Sequence, residues 1–146
     1  MKLPRYELKA DKSLMIFEFI SEGTKGSIPK LIKLSETALK GFYNIAFGDK
    51  NLETGDMDDT VVSDNGDSEQ VLATVISAVY AFTDYENEAW IYATGSTKSR
   101  TRLYRMGISK YFQEVKQNFH IFGLLNGEWE EFEKSVDYTA FVVKRK

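Results

Sequence analysis

The sequence predicts an α+β fold: a single mostly antiparallel sheet with two main helices, in the order β-β-β-α-β-α-β-β. Three observations point to it. β-forming runs separated by turn signals fill the first third of the chain. Two apolar stripes at helical spacing follow, each ending in a short β-like run. The turn Asn126-Gly127 then joins two closing runs. Two helices packed on one sheet is the economical way to cover both. At 146 residues, one domain spanning 1–146 is expected.

Residues 14–20 form the first strand. Ile16 and Ile20 alternate with Phe17 and Phe19, so both faces are apolar and a well-covered strand is expected. Residues 21–27 carry two glycines and read as a hairpin loop. Residues 28–34 form the second strand, with Pro29 marking a strand start or an edge. Gly41 precedes the third strand, 42–47. Residues 48–66 are polar and acidic, and the only β-like patch is Thr60-Val61-Val62. Asp67 suits a helix N-cap, and Gln70 completes a capping box. Val71, Leu72, Val75, Ile76, Val79 and Phe82 then trace a buried stripe.

Residues 89–94 read as the next strand. Gly95 breaks it, Ser96 can cap, and a second helix runs from about 97 to 118 on Tyr104, Ile108, Tyr111, Phe112, Val115 and Phe119. Strands at 120–125 and 138–143 close the sheet. Trp129 and Phe132 lie between them as exposed aromatics that offer a homodimer interface. Lys144, Arg145 and Lys146 read as a solvated terminus.

Composition narrows the function classes. The net charge of -3 offers no global field for nucleic acid or a membrane surface. The absence of cysteine excludes disulfides, thiolate metal sites and thiol catalysis. No window approaches a membrane span and the N-terminus has no signal-peptide run, so a cytoplasmic, soluble protein is expected. His120 is the single histidine, and it reads as an ordinary strand-end residue. Neither a Walker pattern nor G-x-G-x-x-G occurs, so no cofactor is nominated. The acidic run Asp56, Asp58, Asp59 lacks the EF-hand glutamate, so no metal is nominated either.

The chemistry-bearing stretch is Gly95-Ser96-Thr97-Lys98-Ser99-Arg100-Thr101-Arg102-Leu103-Tyr104-Arg105. Its arginines lie at the positive end of their own helix with no acid among them. A helical wheel puts Arg100 about 40° from Tyr104, inside the buried stripe, where a guanidinium needs a partner. That partner is either a carboxylate, with Asp64, Asp67 and Glu18 as candidates, or an anion. An anion would be held by Arg100, the Ser96 and Thr97 hydroxyls and free first-turn N–H groups. Lys98, Arg102 and Arg105 are read as surface contacts.

Two resemblances follow from these residues. Gly95-Ser96-Thr97, Arg100-Thr101-Arg102-Leu103-Tyr104-Arg105, Asn65-Gly66-Asp67 and Tyr138-Thr139-Ala140-Phe141 resemble a family of small uncharacterised bacterial proteins, mainly from Bacteroidota. That resemblance covers nearly the whole chain and implies no activity. The element order is similar to the GCN5-related N-acetyltransferase fold without its first two helices. Arg102-Leu103-Tyr104-Arg105-Met106-Gly107-Ile108 resembles the segment whose tyrosine lies near the thioester, which would add Tyr104 to the site. Where that superfamily keeps its pyrophosphate loop, this chain has Asp64-Asn65-Gly66-Asp67. The expectation is a small domain with an acyltransferase-like layout and an anion-binding or structural arginine site at the start of the second helix. No reaction is assigned. The alternative is a module that binds RNA or a protein partner, such as a toxin–antitoxin component.

Overall fold

The computed structural model describes residues 4–58, 63–95 and 97–146. The strands are β1 (Lys9–Ala10), β2 (Ile16–Gly23), β3 (Gly26–Glu36), β4 (Phe42–Asp49), β5 (Trp90–Ala93), β6 (Phe119–Leu125), β7 (Glu128–Glu131) and β8 (Ala140–Arg145). The helices are α1 (Ser68–Tyr85), α2 (Lys98–Lys110) and α3 (Phe112–Asn118). All eight strands join one sheet in the order β1-β2-β3-β4-β5-β8-β6-β7. The β4–β5 pair is parallel and the other pairs are antiparallel. The α+β class and the mostly antiparallel sheet are as expected. β1 and β7 are additions, and the second helical stretch divides at Tyr111 into α2 and α3. The predicted patch 60–62 lies outside the described residues.

Register explains the core. Phe17, Ile32 and Phe47 stand in one row across β2, β3 and β4, and Leu34 pairs with Ile45. These residues meet Val71, Val75, Ala78 and Phe82 of α1 and Tyr104 of α2 in one cluster. The side chains of a strand alternate between faces, and burial on β2 alternates with them. Phe17 and Phe19 are buried, whereas Ile16 and Ile20 are 39% and 49% exposed. The expectation that β2 is covered on both faces is therefore corrected: the helices pack on one side only. Pro29 sits opposite Ile20, one position before the β3–β4 ladder begins at Lys30 and Asp49, so its missing N–H costs no rung.

Three further expectations are corrected. Asp67 occupies the N-cap of α1 but makes no side-chain cap bond. Its Oδ2 accepts instead from Tyr6 Oη at 2.6 Å and from Ser21 Oγ, tying the start of α1 to β2. Phe132 is buried against Phe112, Tyr138 and Phe141, which leaves Trp129, 46% exposed, as the aromatic on the surface.

Arg145 is not a solvated terminus. It donates to Thr83 Oγ1 at 2.9 Å and to the Tyr80 carbonyl at 3.3 Å, and it pairs with Asp84 at 2.7 Å. Its guanidinium also lies over the Tyr80 and Phe119 rings. The last turn of α1 carries no basic residue of its own, and Arg145 of β8 supplies that cation from the sheet. Arg145→Ala is expected to cost about 2–3 kcal/mol in a urea melt. Arg145→Lys should recover less than half of that, since an ammonium cannot make the forked contact.

Candidate functional site

The β4–β5 ladder ends at Ile45 opposite Ala93, while β4 runs on to Asp49. The two parallel strands therefore part, and the chain leaving β5 turns into α2 beside the opening. Gly95 makes that turn. A Cβ there would lie 2.4 Å from both Arg100 Cβ and Thr101 N, so only glycine allows the approach. The Gly95 N–H donates to Thr101 Oγ1 at 2.9 Å, and Thr101 Oγ1 donates to the Thr97 carbonyl at 3.2 Å. Thr97 is the N-cap, its Oγ1 accepting from Arg100 N at 3.3 Å. Ser96, the expected cap and anion hydroxyl, lies outside the described residues.

Helical phase then sorts the side chains of α2 onto two sides. Thr97, Lys98, Thr101, Arg102 and Arg105 line a groove of about 560 Å³ against residues 137–139. Asp137 is the one carboxylate among the described lining residues, and it accepts from Arg105 Nη1 at 3.3 Å. Asp137 is itself largely exposed, so this contact is a weak one. The groove thus gathers three cations and four threonines along α2 from its N-terminus to Arg105, and the first turn of α2 holds no acid.

Tyr104 lies on the other side, buried beneath α2. Its hydroxyl donates to the Ile45 carbonyl at 3.3 Å, at the last rung before the strands part. Burial raises its pKa, and the nearby positive charge of Arg100 opposes that only in part, so the phenol stays protonated. Arg100 is partly buried on the same side. None of the three carboxylates weighed as its partner pairs with it. Asp67 is held by Tyr6 and Ser21, Glu18 pairs with Lys50 at 3.0 Å, and Asp64 accepts from the Gly66 N–H. Of the expected anion set, the described residues part: Thr97 faces the groove, while Arg100 and Tyr104 lie on the core side. His120, exposed on β6 opposite Lys144, belongs to neither. No group of three acids or histidines suited to a metal ion occurs among the described residues. No helix among them is long and apolar enough to cross a membrane.

A model of a family of unknown function, DUF6934, matches residues 2–146. The chain belongs to that family. No curated protein and no solved structure matches it. The family match spans α1, α2 and α3, the parting strands and the groove, so these are parts of the DUF6934 unit itself.

Sequence reasoning missed one feature of this DUF6934 chain. Lys30 is 2% exposed within the helix-facing layer, and its Nζ donates to Asp49 Oδ1 at 2.7 Å and to the Ser63 carbonyl at 2.9 Å. Asp49 also accepts from Ser63 Oγ at 2.6 Å and from the Ser63 N–H. The pair fastens the far end of the acidic loop to the sheet. Burial alone would raise the pKa of Asp49, but the bonds from Lys30 and Ser63 outweigh it and hold the carboxyl below the ordinary range. The signal lay in the alternation: Lys30 shares its strand face with Ile32 and Leu34.

Proposed function

We propose that this DUF6934 chain is a ligand-binding domain on an acyltransferase-like layout, and that it takes a small anionic ligand in the groove at the start of α2. The observation that carries this reading is the convergence of Lys98, Arg102 and Arg105 on one side of a helix start. A helix N-terminus contributes about half a positive charge, and an anion there meets both the dipole and the side chains. Arginine forks suit a carboxylate or a phosphate. The acyltransferase-like layout is supported by the parallel β4–β5 pair, by its parting after Ile45 and Ala93, and by Tyr104 reaching the last paired carbonyl.

Binding is proposed rather than acyl transfer. In that layout a coenzyme pyrophosphate would approach the start of α1, where Asp64 and Asp67 stand. Two carboxylates oppose it there. The Tyr104 hydroxyl is already bonded to Ile45.

Thermal shift with inorganic pyrophosphate and with acetyl-CoA tests the reading. Pyrophosphate is expected to stabilise the protein by mass action. The double variant Arg102→Ala/Arg105→Ala should bind at least about tenfold more weakly. Acetyl-CoA should do no better than pyrophosphate. Stabilisation that survives in the double variant, or none from either compound, would overturn the groove as the site.

A further inference from the structure

A second cavity lies on the opposite flank of α2 from the groove, between the starts of α1 and α2. It measures about 260 Å³. Three of its lining side chains are polar and almost wholly buried: Lys30 at 2%, Asn65 at 1% and Asp67 at 8% exposure. Each already has partners: Lys30 donates to Asp49 and Ser63, Asn65 accepts from the Lys25 N–H and donates to Ser21 Oγ and the Gly26 carbonyl, and Asp67 accepts from Tyr6 and Ser21.

Its hydrogen-bonding capacity is incompletely used among the described residues. The Lys30 ammonium has three N–H donors, and Asp49 and Ser63 take two of them. Asp67 accepts from Tyr6 and Ser21 on Oδ2, while its Oδ1 receives no bond. Because Asp67 does not cap α1, the first-turn N–H groups have no side-chain cap, and Ser68 of that turn lines the cavity. Phe47, Val71, Leu72 and Leu103 supply an apolar wall.

The charges decide the ligand class. A simple anion would be drawn to Lys30 and the helix start but repelled by the carboxylates of Asp64 and Asp67. A simple cation would meet the reverse conflict. A ligand carrying both signs a few ångströms apart satisfies both ends, and the apolar wall calls for an aliphatic or aromatic arm. At ~30 Å³ per water-sized volume, the cavity holds roughly nine non-hydrogen atoms. We propose that this cavity binds a free apolar α-amino acid. Its carboxylate would lie on Lys30 and the α1 amides, its ammonium on Asp67 and its side chain against Leu72 and Leu103. This inference does not depend on the groove at the other flank of α2.

Isothermal titration with leucine tests it, against 4-methylpentanoate, which lacks the ammonium, and 3-methylbutylamine, which lacks the carboxylate. Leucine is expected to bind saturably in the millimolar range, with each control at least about tenfold weaker. Leu103→Trp, which fills the cavity from partly exposed α2, should abolish leucine binding while the circular dichroism spectrum is kept. Asp67→Asn should narrow the gap between leucine and 4-methylpentanoate. The proposal fails if none of the three compounds binds saturably. It fails equally if either control matches leucine, or if folded Leu103→Trp binds leucine as the parent does.

Discussion

Asp49→Ala is expected to lower the unfolding free energy by about 3–5 kcal/mol at neutral pH, because it strands the Lys30 ammonium in the core. Lys30 is 2% exposed, and Asp49 is its only carboxylate partner among the described residues. The substitution also releases Ser63, which Asp49 holds through both N–H and hydroxyl. Lys30→Met together with Asp49→Leu should recover most of the loss, since a buried pair is often replaceable by apolar side chains of similar size. The pH dependence carries a definite sign. The folded-state pKa of Asp49 lies below its unfolded value, so its contribution is fully present above the unfolded pKa of about 3.9 and is lost as pH falls through the folded pKa. Denaturant melts of parent and Asp49→Ala should therefore differ widely at pH 7 and converge in strong acid. A gap that does not narrow would show that the carboxylate charge is not the cause.

Gly95→Ala is expected to cost about 3 kcal/mol or more, at the upper end for an overpacking substitution. The added methyl would meet Arg100 Cβ and the Thr101 backbone nitrogen, neither of which is the far end of a flexible side chain. Relief requires the first turn of α2 to move away from β5. That movement carries Thr97, Lys98 and Arg102 with it, so pyrophosphate affinity should fall along with stability. Arg102→Ala behaves differently: as an exposed position it should change stability by under about 0.5 kcal/mol while weakening the anion. Melts and titrations of the two variants separate these effects. A Gly95→Ala protein as stable as the parent would mean that the β5–α2 junction is looser than described.

Much of the fold was legible because it rests on local pattern. The strand runs, the α1 stripe and the glycine break before α2 are short-range signals, and each produced its element close to the expected place. Residues decided by distant neighbours were not legible. Strand alternation puts Lys30 on the face of Ile32 and Leu34, but nothing nearby in sequence names the Asp49 and Ser63 that pair with it there. Asp67 has the composition of a cap, but the stronger offers come from far away in sequence, from Tyr6 ahead of β1 and Ser21 of β2. Arg145 looks like a terminal charge until the ladder between β6 and β8 places it beneath α1. At the candidate site the residue types were legible and the grouping was not. The helical wheel put Arg100 beside Tyr104 on the core side. It could not show that residues 137–139 would wall the opposite side and turn Lys98, Arg102 and Arg105 into a groove.

The most direct measurement is an amide NMR titration with pyrophosphate at two salt concentrations. Saturable shifts are predicted for Lys98, Thr101, Arg102 and Arg105 and for Asp137 to Thr139 across the groove, with affinity falling as salt rises. Shifts centred instead on Ser68 to Val71 at the start of α1, or none that saturate, would contradict an anion site at the start of α2.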